Sequence, residues 1–143
     1  MSKEGDQFAF FTHPLPMAAV ALTALNDHWL KYRFPGFLTG KISDFSGVFY
    51  FPIFLLALEV MLCRLEPLKR LQKSIRTKEN LLLLILFTDL LMVIVKLHAP
   101  SARAIEHFFA AYFFKIQLTQ DPTDLIAFAV NPLTYVFVKR RMN

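Results

Sequence analysis

Residues 81–97 read LLLLILFTDLLMVIVKL, seventeen positions in which Asp89 is the only charge before Lys96. At 1.5 Å per residue such a helix crosses most of a hydrocarbon layer about 30 Å thick. A second run, 45–63 (FSGVFYFPIFLLALEVMLC), is as apolar, with Glu59 near one end and Pro52 inside, where a helix is expected to bend. A first run, 8–30, carries Pro14 and Pro16 near its start and Asn26-Asp27-His28 near its end. A last, shorter run, 124–138, contains Asn131-Pro132. The expectation is an all-α polytopic membrane protein with four transmembrane helices at about 8–30, 45–63, 81–97 and 124–138. A fifth helix over 101–118 lies at the interface or re-enters, with Ser101 as its N-cap. Residues 1–143 form one integral membrane domain.

Composition agrees. Hydrophobic residues are 55% of the chain and charged residues 19%, against about 45–50% and about 25% for soluble domains. Sixteen Phe are more than the single core of so short a chain can enclose. Disorder requires low hydrophobicity, and a disulfide scaffold requires more than the one cysteine, Cys63. The net charge of +5 does not point to nucleic acid, because the bases flank apolar runs instead of forming a face. Arg64, Lys69, Arg70, Lys73, Arg76 and Lys78 lie between the second and third runs, and Lys139, Arg140 and Arg141 follow the fourth.

Those bases orient the chain. With four spans and both termini in the cytoplasm, ten basic residues fall inside and six outside; a fifth span over 101–118 would send the Lys-Arg-Arg end outward. The first run leads into Asn-Asp-His and not into a small-residue cleavage site, so it is expected to be retained.

This topology places two polar connections on the outer side, 26–45 and 98–124. Asp27, His28, Lys31, Lys41, Asp44, Lys96, His98, Asp121 and Asp124 then lie at a similar depth and can line one pocket. Each has a simpler use. Asp27 and Lys31 form an i,i+4 pair; Trp29 and Tyr32 are interfacial aromatics; Pro35-Gly36 and Thr39-Gly40 are turns. Ser43 or Asp44 caps the second span. Asp121 is an N-cap with Pro122 at the first helical position, and Asp124 suits the positive end of the helix dipole. Lys41 and Asp44 share a helical face only if that helix begins early.

Asp89 is costly wherever it sits at mid-membrane, about 2.5–3.5 kcal/mol on the lower scales. Its neighbour Thr88 points elsewhere, while Lys96, two turns on, shares its stripe and leads toward the outer cluster. Asp89 is therefore a proton-relay candidate, or it is a protonated acid bonded to Asn131 or to a backbone carbonyl freed by a proline. His28, His98, Asp44 and Asp124 lack the close spacing of a metal site, and no nucleophile or phosphate-loop motif is present. No metal and no cofactor is expected. Cys63 reads as packing, and His13 and His107 as interfacial.

The string Asn26-Asp27-His28-x-Leu30-Lys31, then Pro35-Gly36-x-Leu38-Thr39-Gly40-Lys41-Ile42-Ser43-Asp44-Phe45, resembles a pattern in small uncharacterised bacterial multi-span membrane proteins. Asp121-Pro-Thr-Asp124-Leu125-Ile126-Ala127 resembles their second signature. A looser similarity links Lys41, Asp44-Phe45 and the Asp-rich entry to the last span with VanZ-like membrane proteins; it implies a role in the cell envelope.

Three functions follow as expectations. The first is an outer-side polar site in the bacterial cytoplasmic membrane that binds a charged lipid headgroup or envelope precursor. Lys31, Lys41 and Lys96 would take an anionic group, and Asp27, Asp44 and Asp124 would orient it or act as acid and base, which would make the cluster the active site of an enzyme. The second is a proton or ion relay through Asp89. The third is an accessory subunit or an immunity protein that meets a protein partner through the Phe-rich segment 108–114.

Overall fold

Two prolines set the start of the first helix, since a residue without an N–H is best placed in the first turn. In the computed structural model, which describes residues 11–63, 77–112 and 118–141, α1 runs Pro14–Leu25. His13 caps it, its Nδ1 accepting from the Leu15 N–H at 3.2 Å. The helix continues through a π-helical turn, Asn26–Leu30, into the single turn α2, Lys31–Arg33. The chain reverses over Phe34–Gly36, where the Thr39 hydroxyl accepts from the Gly36 N–H (3.1 Å) and donates to the Phe34 carbonyl (2.9 Å).

Helix α3, Phe37–Leu62, is 26 residues long and continues without a break through Pro52. It begins eight residues before the expected boundary. Thr39-Gly40 is therefore helix and not a turn, and neither Ser43 nor Asp44 is a cap. Thr39 made the difference: it ties down the reversal itself, so the helix can start immediately after Gly36. Helix α4 is Thr77–Leu97 and α5 is Ala99–Tyr112. The basic stretch 64–76 and residues Phe113 and Phe114 of the aromatic segment lie outside the described residues.

The last rod is composite, a nine-residue 3₁₀ helix over Pro122–Val130 followed by α6, Asn131–Arg141. The change of helix type falls at Asn131-Pro132. Proline has no N–H, and its ring clashes with the carbonyl four residues back in an α-helix. The α geometry accordingly begins at this pair, with Pro132 inside its first turn.

Helix α3 is the axis of the bundle. Asn26 meets Ser43 at one end of α1 and Phe11 meets Phe54 at the other, so α1 is antiparallel to α3. Glu59–Asn80 and Asp44–Lys96 contacts make α4 antiparallel to it as well. Lys41–Asp124 and Phe49–Thr134 contacts make the last rod parallel. The shared core is Phe49, Ile53, Leu56, Ala57, Leu81, Ile85 and Val138. On α4 the stripe Leu81, Ile85, Thr88 turns inward, as does Lys96 near its end, while Leu82, Leu83, Leu86, Phe87 and Leu90 stay exposed.

This topology sorts the connections by end. The Arg141 guanidinium donates to His13 Nε2 at 2.6 Å, at the end where α3 stops and α4 starts. The Phe34–Gly36 reversal, the α4–α5 junction and Asp121 gather at the other. Helix α5 starts two residues earlier than expected, and His98, not Ser101, caps it: His98 Nδ1 accepts from the Ser101 N–H at 3.3 Å. The Leu118 N–H donates to Glu106 Oε1 at 2.6 Å, which sets Leu118 beside α5.

Candidate functional site: a buried ion network on an open groove

Lysine 41 stands one turn into α3 and is 5% exposed. A buried ammonium needs partners, because desolvation of an unpaired charge is prohibitive. The last rod supplies them. In a 3₁₀ helix positions three apart eclipse one another, so Asp121, Asp124 and Ala127 align along one edge facing α3. The Lys41 ammonium donates to Asp121 Oδ2 (2.9 Å), Asp124 Oδ1 and Thr123 Oγ1, which uses its three N–H bonds.

Asp124 is 4% exposed and holds two cations. Its Oδ1 accepts from Lys41 and its Oδ2 from Lys96 on α4. Lys96 also pairs with Asp44 Oδ1 at 3.1 Å, one turn along α3 from Lys41. The chain Asp121–Lys41–Asp124–Lys96–Asp44 therefore ties α3, α4 and the last rod together. It has three carboxylates and two ammoniums, and Lys96 keeps one N–H without an acceptor within the network.

Asp121 has two roles at once. Its Oδ1 caps the 3₁₀ helix, accepting from the Thr123 N–H at 2.9 Å, while its Oδ2 meets Lys41. The Thr123 hydroxyl, the Lys41 ammonium and the Thr123 N–H hold its carboxyl down at about 2. It is ionised at any physiological pH.

A second polar group closes the α1 side. Asn26, fully buried, donates from Nδ2 to the Thr39 carbonyl (2.8 Å) and to Ser43 Oγ (2.6 Å), and Ser43 donates to Asp27 Oδ1 at 2.5 Å. Asp27 also pairs with Lys31 at 2.7 Å, the expected i,i+4 contact, with both side chains about two-fifths exposed. The π turn lets this happen, because its extra residue rotates the end of the first rod and brings Asn26 and Asp27 toward α3.

Between these groups lies a groove of about 690 Å³, within the range of small-molecule sites. Lys41, Asp44, Lys96, Asp121 and Asp124 line it beside Asp27, Lys31 and Ser43. Its deeper wall is mostly apolar, with Val48, Phe51, Leu91 and Met92 beside Tyr50 and Thr88.

Of the residues singled out from sequence, Asp27, Lys31, Lys41, Asp44, Lys96 and Asp124 converge on this groove. His28 is exposed and does not line it, and His98 caps α5. The possible ligand set His28, His98, Asp44 and Asp124 is thus dispersed, with Asp44 and Asp124 engaged by Lys96. Asp89 and Thr88 exchange their expected places. Thr88 lines the groove, its hydroxyl donating back to the Leu84 carbonyl at 2.8 Å. Asp89 faces α6, its Oδ2 accepting from Asn131 Nδ2 at 2.8 Å. Asn131 stands opposite Asp89 at the same depth, and that bond turns the carboxylate away from Lys96.

Asp121 was placed at the rim but given only a capping role, and Thr123, Ser43 and Asn26 were not singled out as site residues. The Asp121/Asp124 spacing of three was the available signal for the first, since it puts both carboxylates on one edge of a 3₁₀ turn. The role of Asn26 depends on a π turn that no pattern in the sequence announces. No protein-family model, curated protein or solved structure matches this chain.

Proposed function

We propose that this is an integral protein of the bacterial cytoplasmic membrane whose four rods cross the bilayer, and that its groove binds a charged lipid headgroup or envelope precursor. Two of the rods, Phe37–Leu62 and Asn80–Leu97, are long and apolar enough to cross a membrane. Only 39% and 22% of their most apolar windows are buried inside the protein, whereas the core helix of a soluble domain is mostly buried. The first rod from Pro14 to Arg33 and the last from Pro122 to Arg141 are each about 30 Å or more by their helical rises. Trp29, Tyr32, Phe34 and Phe37 are exposed around the groove end, as an aromatic belt would be. The bases at the opposite end of the last rod support cytoplasmic termini.

The observation that carries the ligand reading is the groove itself, with buried ammoniums and carboxylates on one wall and open space before them. Carboxylates outnumber ammoniums three to two in the network, and Asp27–Lys31 at the mouth is neutral as a pair. A head with an ammonium beside its phosphate matches that balance better than a purely anionic one. Phosphate oxygens would take the spare N–H of Lys96 and the half-exposed Lys31, and the ammonium would face Asp27 and Asp44.

Native mass spectrometry of protein extracted in mild detergent tests this. The wild-type chain is expected to retain a phospholipid mass. Lys31→Gln removes an exposed pair worth at most about 1 kcal/mol to folding, so it should melt normally and lose most of that lipid. Full retention in both Lys31→Gln and Asp44→Asn would remove the reading.

A second reading, a proton relay, is favoured by one observation. Asp89 Oδ1 and Asn131 Oδ1 are both buried without a partner among the described residues, and a buried acid with a spare acceptor oxygen is suited to carry a proton. Asp89→Asn should then abolish proton flux in liposomes. Undiminished flux in that variant excludes the relay.

A further inference from the structure

The groove changes character along its length. Near the bundle end its walls are Lys41, Asp44, Lys96, Asp121 and Asp124; one to three turns deeper they are mostly apolar, Val48, Phe51, Leu91 and Met92, with Tyr50 and with Thr88, whose hydroxyl is already bonded to the Leu84 carbonyl. The polar residues stand at the ends of α3 and α4, and the apolar ones stand further into the same two helices. Along α3 the groove extends from Gly36 to Phe51, about 22 Å of helix.

Its floor on α3 lacks side chains at regular intervals. Gly36, Gly40 and Gly47 all line the groove, and a Cβ added at any of them would meet nothing within 4 Å. These glycines are not needed for close helix contact, nor for a positive backbone angle, since none has one. Glycine inside a helix costs about 0.8–1 kcal/mol relative to alanine. At Gly40 and Gly47 that cost secures open volume and nothing else visible in the fold.

A free ion or a water-soluble headgroup would use only the polar end. From this polarity gradient we infer that the groove holds a whole amphiphile: the head lies at the Lys41–Asp124–Lys96 network beside Gly40, and a hydrocarbon chain lies over Gly47 against Val48, Leu91 and Met92. This rests on the headgroup reading above and adds the chain to it. Chain burial then supplies affinity that the largely self-satisfied ion network cannot, while the charges select the head.

The test compares lysophosphatidylethanolamine with its chain-free head, glycerophosphoethanolamine, each titrated into the purified full-length protein in maltoside micelles. Occupancy is read by native mass spectrometry. The lysolipid is expected to reach a given occupancy at a concentration at least about tenfold lower, the effect of only a few buried methylenes. Gly47→Leu fills the floor under the chain and should lower lysolipid occupancy about tenfold, while Gly40→Leu, at the head, should lower occupancy by both ligands. The melting temperature of both variants should hold or rise, because leucine is the better helix former. Equal occupancy by the two ligands, with Gly47→Leu unchanged, would overturn the chain site and leave the headgroup site standing. Binding of neither ligand would overturn the headgroup reading and the chain site with it.

Discussion

Asp124→Ala is expected to lower the unfolding free energy by about 3–5 kcal/mol, the range found when one partner of a buried ion pair is removed. The reason is the geometry around its carboxylate. One oxygen neutralises Lys41 and the other Lys96, and all three side chains are at most one-tenth exposed. Alanine leaves two ammoniums facing each other across the space the carboxylate occupied. Asp121 and Asp44 remain as partners for one each, so the loss is large without being complete. Chemical denaturation in detergent, followed by circular dichroism, measures it. Lys41→Met combined with Asp124→Leu should recover much of the loss, because apolar replacement of a buried pair is often neutral or stabilising. An Asp124→Ala variant as stable as the parent would show that the network is not desolvated, and the buried site would lose its physical basis.

Leu86→Arg separates a membrane protein from a soluble bundle more sharply than any change in the groove. Leu86 is 63% exposed and lies near the middle of the Asn80–Leu97 apolar helix. An exposed position on a soluble protein tolerates substitution within about ±0.5 kcal/mol. At mid-bilayer an arginine costs about 2.5–3.5 kcal/mol by insertion scales, a shift of about 60- to 300-fold in the insertion equilibrium by the usual conversion of about 1.4 kcal/mol per tenfold. A reporter of insertion into microsomes should register that shift for Leu86→Arg, and only a slight one for Leu86→Met. Arginine accepted without effect would mean that α4 faces water and that the bilayer reading is wrong.

The helical class was legible because it depends on local quantities. Runs of Leu, Ile and Phe long enough to cross a bilayer need no tertiary information, and two of them are such helices in the fold. Element boundaries were less legible. The start of α3 depended on Thr39 fastening the Phe34–Gly36 reversal, and the mixed character of the last rod depended on Pro132. Both are single side chains whose effect exceeds any average over a window.

For the groove, depth was readable and direction was not. Lys41, Asp44, Lys96 and Asp124 could be set at one level by counting residues from the ends of apolar runs. Lys96 and Asp89 also share a helical stripe by counting, yet only Lys96 meets the ion network, because Asn131 on another rod captures Asp89. Asp121 was correctly read as a cap, which hid its second oxygen's contact with Lys41.

What the sequence determined alone was the helical class and the grouping of polar residues near the ends of apolar segments, since both follow from transfer free energy and helical rise. The tertiary structure decided which charges became partners, that a 3₁₀ edge would present Asp121 and Asp124 together, and that glycines on α3 would leave a groove. Those outcomes depend on the rotation of each rod about its own axis, and rotation is set by contacts between rods that no single segment contains.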